Sequence, residues 1–317
     1  MRQKRPAARR KIELNQIINV TAACNQRCLF CSRDSWLPPH PPKLIRASIR
    51  KFKDSVCFEG GEPTLFPDTL KWIRFAKKEG VRNVVLVTNG FSLDDPAAAE
   101  KYVEAGVDFF NVNLPAHTPA LYDALTRTRA NFARRVKAVR TLIRAAGGRK
   151  VRVTLVATSV MIPKLPEYAL FVLRNFPELL YLEINFPKLL GGCVERPWLI
   201  PDLAACRLPL RTAVKLLQAG GMKVITDGFP LCAMKGFEYC AIDAHAAAYG
   251  DLGQDYLAEK EQRPPCSGCS LAAVCRGPRK DYVSRHGWKE LRPSRVTPAS
   301  VKAKIEKVFG RRGGGSR

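Results

Sequence analysis

The chain has 317 residues, 53 lysines and arginines against 28 aspartates and glutamates, a formal charge of +25, and 11 cysteines. That length buries a core without covalent staples. The odd cysteine count with no signal peptide argues against a disulfide framework, and no run of about eighteen apolar residues offers a membrane span. The positive excess favours anionic partners (nucleic acid, acidic peptides, phosphates, membrane surfaces) without choosing among them.

Residues 1–13, with Arg2, Lys4, Arg5, Arg9, Arg10 and Lys11, read as a solvated basic tail. A first strand is expected at 15–20, followed by Cys24, Cys28 and Cys31 in a CxxxCxxC spacing. Iron–sulfur clusters are normally held by four thiolates, so a group of three leaves one iron for a ligand that is not protein. By spacing alone, Cys28 and Cys31 as half of a structural zinc site remains open. The stretch Leu37-Pro38-Pro39-His40-Pro41-Pro42 argues against a regular helix and predicts a short, irregular first crossover.

A second strand at 54–59 carries Cys57 as a core residue and runs into Glu59-Gly60-Gly61-Glu62-Pro63-Thr64-Leu65. Two glycines there let backbone approach a ligand closely, and the next carboxylate can accept from a cationic amine. Leu70, Ile73, Phe75 and Ala76 mark a helix. Strands follow at 82–88, ending in Thr88-Asn89-Gly90, and at 107–113, leading to His117 as a loop residue and a helix around Tyr122-Arg127. Phe132, Val136, Val139, Leu142 and Ile143 mark a longer helix that Gly147-Gly148 ends. Strands at 151–158 and 179–186 complete six βα units, whose alternation implies parallel strands and right-handed crossovers. Both motifs then fall at the C-terminal ends of strands, where such folds build sites.

Together, CxxxCxxC and Gly60-Gly61-Glu62-Pro63 resemble the radical S-adenosylmethionine (SAM) superfamily. The resemblance implies a partial (β/α)6 barrel over 14–200, with Cys24, Cys28 and Cys31 on a [4Fe-4S] cluster whose open iron SAM chelates. It further implies that Gly60, Gly61, Glu62 and Pro63 orient SAM, that Phe30 packs near its adenine, and that Thr88 and Asn89 border its ribose. An electron from the cluster would then split the sulfonium to a 5′-deoxyadenosyl radical that takes a hydrogen atom from substrate. Protein residues mainly place the reactive carbon.

The last third carries Cys266-Ser267-Gly268-Cys269 and Cys275, with Cys232 and Cys240 upstream. This pattern, and the tail Tyr282 to Pro293, resemble the SPASM and twitch extensions of that superfamily, small Cys-rich auxiliary-cluster domains, here over 201–298. Arg279 stands where the two-cluster form wants a cysteine, so a second, single auxiliary [4Fe-4S] cluster is expected on Cys232, Cys266, Cys269 and Cys275, with Cys240 the doubtful member. A zinc site is the alternative there. Cys57, Cys193 and Cys206 receive no ligand role, though Cys193 and Cys206 lie where they could reach substrate.

Residues 299–317 form a second basic tail. Family analogy points to a peptide or protein maturase with a precursor-peptide substrate. RNA or a small anionic metabolite is the enzymatic alternative, and a non-catalytic zinc-bearing nucleic-acid-binding protein is the alternative of another class. An electron donor such as flavodoxin or ferredoxin and a reducing cytoplasm are expected.

Overall fold

The computed structural model describes residues 16–32, 38–249 and 258–310. The N-terminal basic tail lies outside them, whereas most of the expected C-terminal tail, 299–310, is described and belongs to a helix, Pro298–Phe309, that buries Val301 and Ile305. Seven strands form one parallel sheet in sequence order: β1 (Gln16–Thr21), β2 (Ser55–Gly60), β3 (Asn83–Thr88), β4 (Phe109–Asn113), β5 (Val151–Val156), β6 (Leu182–Asn185) and β7 (Val224–Asp227). Every hydrogen-bonded pair joins neighbours in the chain, and β1 and β7 are not paired with each other, so the sheet is not a closed barrel. Helices alternate with the strands: α1 (Pro42–Lys51), α2 (Asp68–Lys78), α3 (Pro96–Ala105), α4 (Pro119–Thr126), α5 (Phe132–Ala146), α6 (Leu165–Asn175), α7 (Gly192–Glu195) and α8 (Leu203–Ala219). After β7 come α9 (Ile242–Tyr249), α10 (Lys280–His286) and α11 (Pro298–Phe309). Among the described residues no helix is long and apolar enough to cross a membrane.

Two expectations change. The sheet has seven strands rather than six, and it continues past residue 200, because α8 and β7 add another unit of the same alternation. β7 is only four residues long, too short for periodicity to mark it, and Pro209 sits inside α8, where a proline normally argues against a helix. The first crossover is also a helix rather than an irregular stretch. Pro41 is extended at φ −64° and ψ 151°, and α1 starts at Pro42. A first-turn N–H has no partner inside a helix, so proline's missing donor costs nothing there and its fixed φ suits the start.

Successive strand residues alternate between two faces. Ile18, Val20, Val56, Phe58, Val84, Leu86, Phe110, Val112, Val153, Leu155, Leu182, Ile184 and Val224 are buried on one, in a continuous core with Ile49, Ile73, Val139, Leu142, Tyr168, Val172 and Val214 of the helices. Full burial of such side chains contributes about 1.5–3 kcal/mol each. The other face carries apolar residues such as Cys57, Val85 and Ile225 and a polar patch centred on β4 to β6. The register sets Asn19 beside Glu59, Asn111 beside Arg152, Thr154 between Asn113 and Glu183, and Asn185 beside Asp227.

Candidate cluster and cofactor site

The three-cysteine loop leaves the C-terminal end of β1, and its backbone is fixed on three sides. The Arg27 and Leu29 amides donate to the Thr126 and Leu125 carbonyls at the end of α4 (3.1 and 2.9 Å), and the Gly192 amide donates to Cys31 O (2.8 Å). Gln26 is buried and donates to the Tyr122 hydroxyl (2.6 Å), while the Cys28 thiol donates to Gln26 Oε1 (3.3 Å). Cys24 is exposed, and Cys28 and Cys31 are half-buried.

The Gly-Gly-Glu turn locks onto the start of this loop. Gly61 N donates to Thr21 O (2.6 Å) and Glu62 N to Ala23 O (2.8 Å). A Cβ on Gly61 would lie 2.2 Å from Ala23 O, and Gly60 adopts φ +153° with Thr21 O 2.2 Å from its own Cβ position. Glycine is required here because two backbones touch.

Glu62 is fully buried, and both of its oxygens are engaged. Oε1 accepts from Thr64 N (3.1 Å), Thr64 Oγ1 (2.8 Å) and Thr88 Oγ1 (2.6 Å), and Oε2 accepts from Asn89 N (2.6 Å). Burial raises its pKa, opposed by these donors. Thr88 also accepts from Gly90 N (2.9 Å). The Asn89 side chain donates to Asn25 Oδ1 (2.8 Å) and lies 3.8 Å from Cys24 Sγ. Glu62, Thr88 and Asn89 therefore brace the turn and the loop against β3. Glu59, Gly60 and Gly61 are half-buried, whereas Glu62 and Pro63 are buried. Phe30 is buried within the core.

Burial, followed by the neighbouring thiols, pushes the Cys28 thiol well above its ordinary range. Burial also raises Cys24, with Glu62 and Cys31 adding to it. The three sulfurs thus feel one another. Bare thiolates are disfavoured here, and a bound cation reverses that, since a coordinating thiol is deprotonated outright. Among the described residues no three His, Cys, Asp or Glu side chains converge to hold a single metal ion. A cubane makes a different demand, because each thiolate binds its own iron and the sulfurs surround the group rather than meeting at a point.

The later cysteines form a second group. Cys232, Cys266, Cys269 and Cys275 line one pocket with Leu231 and Arg292. Backbone amides reach their sulfurs: Ser294 N to Cys269 (3.2 Å) and Gly277 N to Cys275 (3.4 Å). Burial raises the Cys232 and Cys266 thiols, opposed by the backbone at Arg292 and Arg263 respectively. Burial still pushes Cys275 up to about 12. Amide donors on the Cys269 and Cys275 sulfurs suit a thiolate-held cluster. Cys240 is buried outside this pocket and accepts from Gln218 Nε2 (3.6 Å). Cys57, Cys193 and Cys206 are buried as well. Cys193 is raised to about 11, first by burial and then by Cys31 nearby. His117 lies in the β4–α4 loop against Tyr168 and Phe171, and burial lowers its pKa.

The polar patch on the sheet escapes motif reading, although the alternations Asn111-Val112-Asn113, Arg152-Val153-Thr154 and Glu183-Ile184-Asn185 signal it. Thr154 donates to Asn111, Arg152 to the Tyr181 hydroxyl, and Asn185 Nδ2 to Glu183 (3.1 Å). Burial raises Glu183, countered by Arg152 and Asn185. Arg152 Nε and Asn185 Oδ1 are buried without a hydrogen-bond partner. Arg279, where a cysteine is missing, joins a clasp instead: it pairs with Glu259 (2.8 Å) and Asp281 (3.1 Å). Glu259 in turn holds Lys188 (2.7 Å), and Asp281 accepts from Leu189 N (2.9 Å).

Residues 18–167, which contain the cysteine loop and the Gly-Gly-Glu turn, match the radical SAM superfamily. This chain carries a radical SAM domain. A probable GTP 3′,8-cyclase of Methanopyrus kandleri is 34% identical over 156 residues, which is 47% of this chain and 49% of that one. The GTP 3′,8-cyclase of Limosilactobacillus fermentum is 33% identical over 121 residues, covering 35% and 36%. The chain thus spans about half or less of the curated relatives it matches. Two solved structures share the radical SAM fold over most of the chain. Native anSMEcpe with bound AdoMet has TM-score 0.57 and 14% identity, covering 93% of this chain and 95% of that one. Methylornithine synthase has TM-score 0.52 and 15% identity, covering 94% and 86%.

Proposed function

We propose that this protein is a radical SAM enzyme that acts on a small polar, anionic molecule, with a second iron–sulfur cluster on Cys232, Cys266, Cys269 and Cys275. The observation that carries the reading is the interlock of the three-cysteine loop with the Gly60-Gly61-Glu62 turn at one edge of the sheet. With a [4Fe-4S] cluster on Cys24, Cys28 and Cys31 and SAM in place, the chemistry supplied is one-electron cleavage of the sulfonium to a hydrogen-abstracting radical. The residues of the chain orient and exclude. Gly60 and Gly61 would bring backbone against bound SAM, while Glu62, Thr88 and Asn89 fix that backbone and the cluster loop in one frame. Pre-set geometry of this kind replaces entropy otherwise lost at the reacting centre.

The substrate reading rests on the polar patch of the sheet. Barrel interiors that only pack are filled by branched apolar side chains, and burying amides and charges without full pairing is costly. Arg152 and Asn185 each present an unmet hydrogen-bond group there, a cationic donor and an acceptor. The +25 charge and relatives named for GTP support a small anionic ligand over a precursor peptide.

Anaerobic reconstitution should give brown protein with about eight irons and eight sulfides per chain, four for each cubane. With SAM and dithionite it should release 5′-deoxyadenosine, and Cys28→Ala should abolish that while keeping the second cluster's colour. Release should rise with the low-molecular-weight fraction of a cell extract and not with its peptides. Colourless protein with stoichiometric zinc overturns the radical reading, and stimulation by peptides alone overturns the substrate reading.

A further inference from the structure

Reductive cleavage consumes one electron per event, and that electron must reach the cluster loop from outside. The surface flanking the loop has a distinctive make-up. Among the described residues, three of the seven exposed large apolar side chains fall within one nine-residue stretch, Leu190, Val194 (60% exposed) and Trp198 (56%). The other four, Ile17, Leu44, Leu170 and Leu208, are scattered over β1, α1, α6 and α8.

The stretch is built to present them. Val194 N bonds Gly191 O and Arg196 N bonds Gly192 O in a single helical turn, and the inward residues Cys193 and Leu199 are fully buried. This turn is seated directly on the cluster loop. Gly192 N donates to Cys31 O, and a Cβ on Gly192 would lie 2.3 Å from Leu29 O. Leu199 O accepts from Ser159 N (2.9 Å), which anchors the far end of the stretch.

The opposite flank of the loop is basic. Arg27 on the loop, and Arg127 and Arg129 just after α4, are exposed, and none makes an ion pair among the described residues. The loop's own hydrogen bonds to Leu125 and Thr126 place that flank beside it. Of the nearby carboxylates, Glu195 is paired with Arg196 (2.8 Å), and Asp123 accepts from Ala130 N (3.0 Å). An aromatic and aliphatic centre with a charged rim is the make-up of a transient protein interface, in which the rim steers encounter and a tryptophan anchors it.

We propose that Leu190, Val194 and Trp198, with the arginines across the cluster loop, form the docking face for an acidic one-electron carrier protein. The inference rests on the cluster assignment proposed above. At this face the carrier is oxidised by one electron, and the cluster held by Cys24, Cys28 and Cys31 takes up that electron. An acidic surface would meet these arginines, which make no ion pair among the described residues. The short turn on Cys31 brings the carrier to the loop that holds the cluster.

The test uses the reconstituted holoenzyme, reduced flavodoxin as the acidic carrier, and dithionite as a reductant too small to need a docking face. Val194→Glu and the pair Arg127→Glu with Arg129→Glu should each weaken flavodoxin binding, measured by calorimetry, by about tenfold or more. Wild-type affinity should fall as salt rises, because surface charges are screened within about 8 Å at physiological ionic strength. At limiting flavodoxin, 5′-deoxyadenosine formation should drop in step with affinity, while the dithionite-driven rate stays within about twofold of wild type, a window well inside the tenfold loss expected for docking. Unchanged flavodoxin affinity in both variants overturns the proposal. So does an equal fall in the dithionite-driven rate, which would make these residues supports of the cluster loop. A wild-type dimer that Val194→Glu dissolves also overturns it, by showing the face to be covered by a second copy. Failure of the wild type to cleave SAM with dithionite refutes the cluster assignment itself, whereas the binding measurement still scores the face.

Discussion

Gly61→Ala is the sharpest test of how the two motifs are joined. The added Cβ would lie 2.2 Å from Ala23 O, 2.5 Å from Ala23 C and 2.7 Å from Ala22 O, where ordinary contact begins at 3.4 Å. None of these atoms is the end of a flexible side chain. The turn and the cysteine loop must therefore part by roughly 1 Å, and overpacking of this kind costs about 1–3 kcal/mol. The bonds from Gly61 N to Thr21 O and from Glu62 N to Ala23 O would stretch or break, at about 1 kcal/mol each. Gly61 lies outside the hydrophobic core, so the fold should survive with a loss in melting temperature. A displacement of about 1 Å at a reacting centre costs about a hundredfold in rate. The expected outcome is thus a protein that still takes up iron but releases 5′-deoxyadenosine about a hundredfold more slowly under dithionite. Gly268→Ala is the control, since it also sits between cysteines but its Cβ meets nothing within 4 Å. A Gly61→Ala enzyme within about threefold of wild type would refute the interlock, being far short of the loss that misplacement brings.

Glu62→Gln should damage the same frame from beneath. One amide N–H₂ must face either Asn89 N or the three donors now on Oε1, leaving buried donors opposed at a cost of about 1–3 kcal/mol, readable as a lower melting temperature together with slower 5′-deoxyadenosine release. Cys240→Ser should leave iron at about eight per chain, whereas Cys232→Ser should lower it toward about four, the content of one cubane. Equal iron in both variants contradicts the four-thiol pocket. His245 is buried, with Nε2 on Tyr239 O (2.8 Å) and its ring against Phe309, and burial lowers its pKa from 6.5 to about 4. The unfolded chain takes up a proton that the fold refuses. The stability from the neutral ring is therefore complete above pH 6.5 and drains as pH falls toward about 4, by at most about 1.4 kcal/mol per pH unit. Thermal melts of wild type against His245→Gln should diverge in that window alone, and parallel acid limbs would show that His245 does not titrate there.

Six strands are legible because each is a short β-branched or apolar run closed by turn residues, and their alternation with helices leaves a parallel sheet as the natural solution. β7 is not, because Val224-Ile225-Thr226-Asp227 is one turn signal away from any short loop and its status depends on β6 being alongside. The reading of the proline stretch failed on one register step. Proline breaks a helix interior but starts one, and only the chain's entry angle shows that Pro42 is first. Glu62 shows the limit for sites. A carboxylate after Gly-Gly reads as a group aimed at a ligand, yet its partners Thr88 and Asn89 come from another strand 26 and 27 residues away. The grouping of Cys232 with Cys266, Cys269 and Cys275 is what the resemblance to the SPASM and twitch extensions implies, and the four line one pocket. The separation of Cys240 depends on Gln218, a residue no cysteine pattern contains.

The sequential strand order also bears on synthesis. Each strand pairs with the next one to emerge, so no early segment waits for a late one to complete its ladder, and assembly can follow translation from the N-terminus. The loop after β1 and the turn after β2 are in contact once residue 62 has left the ribosome, and β3 adds Thr88 and Asn89 soon afterwards. Part of the frame of the cysteine loop is thus available early, and its bonds with Leu125, Thr126 and Gly192 complete it later. The second thiol pocket must wait for residues 266–294, and for the clasp through Arg279 that ties the late segment back to Lys188 and Leu189. The N-terminal cysteine loop can therefore be completed before the C-terminal thiol pocket exists.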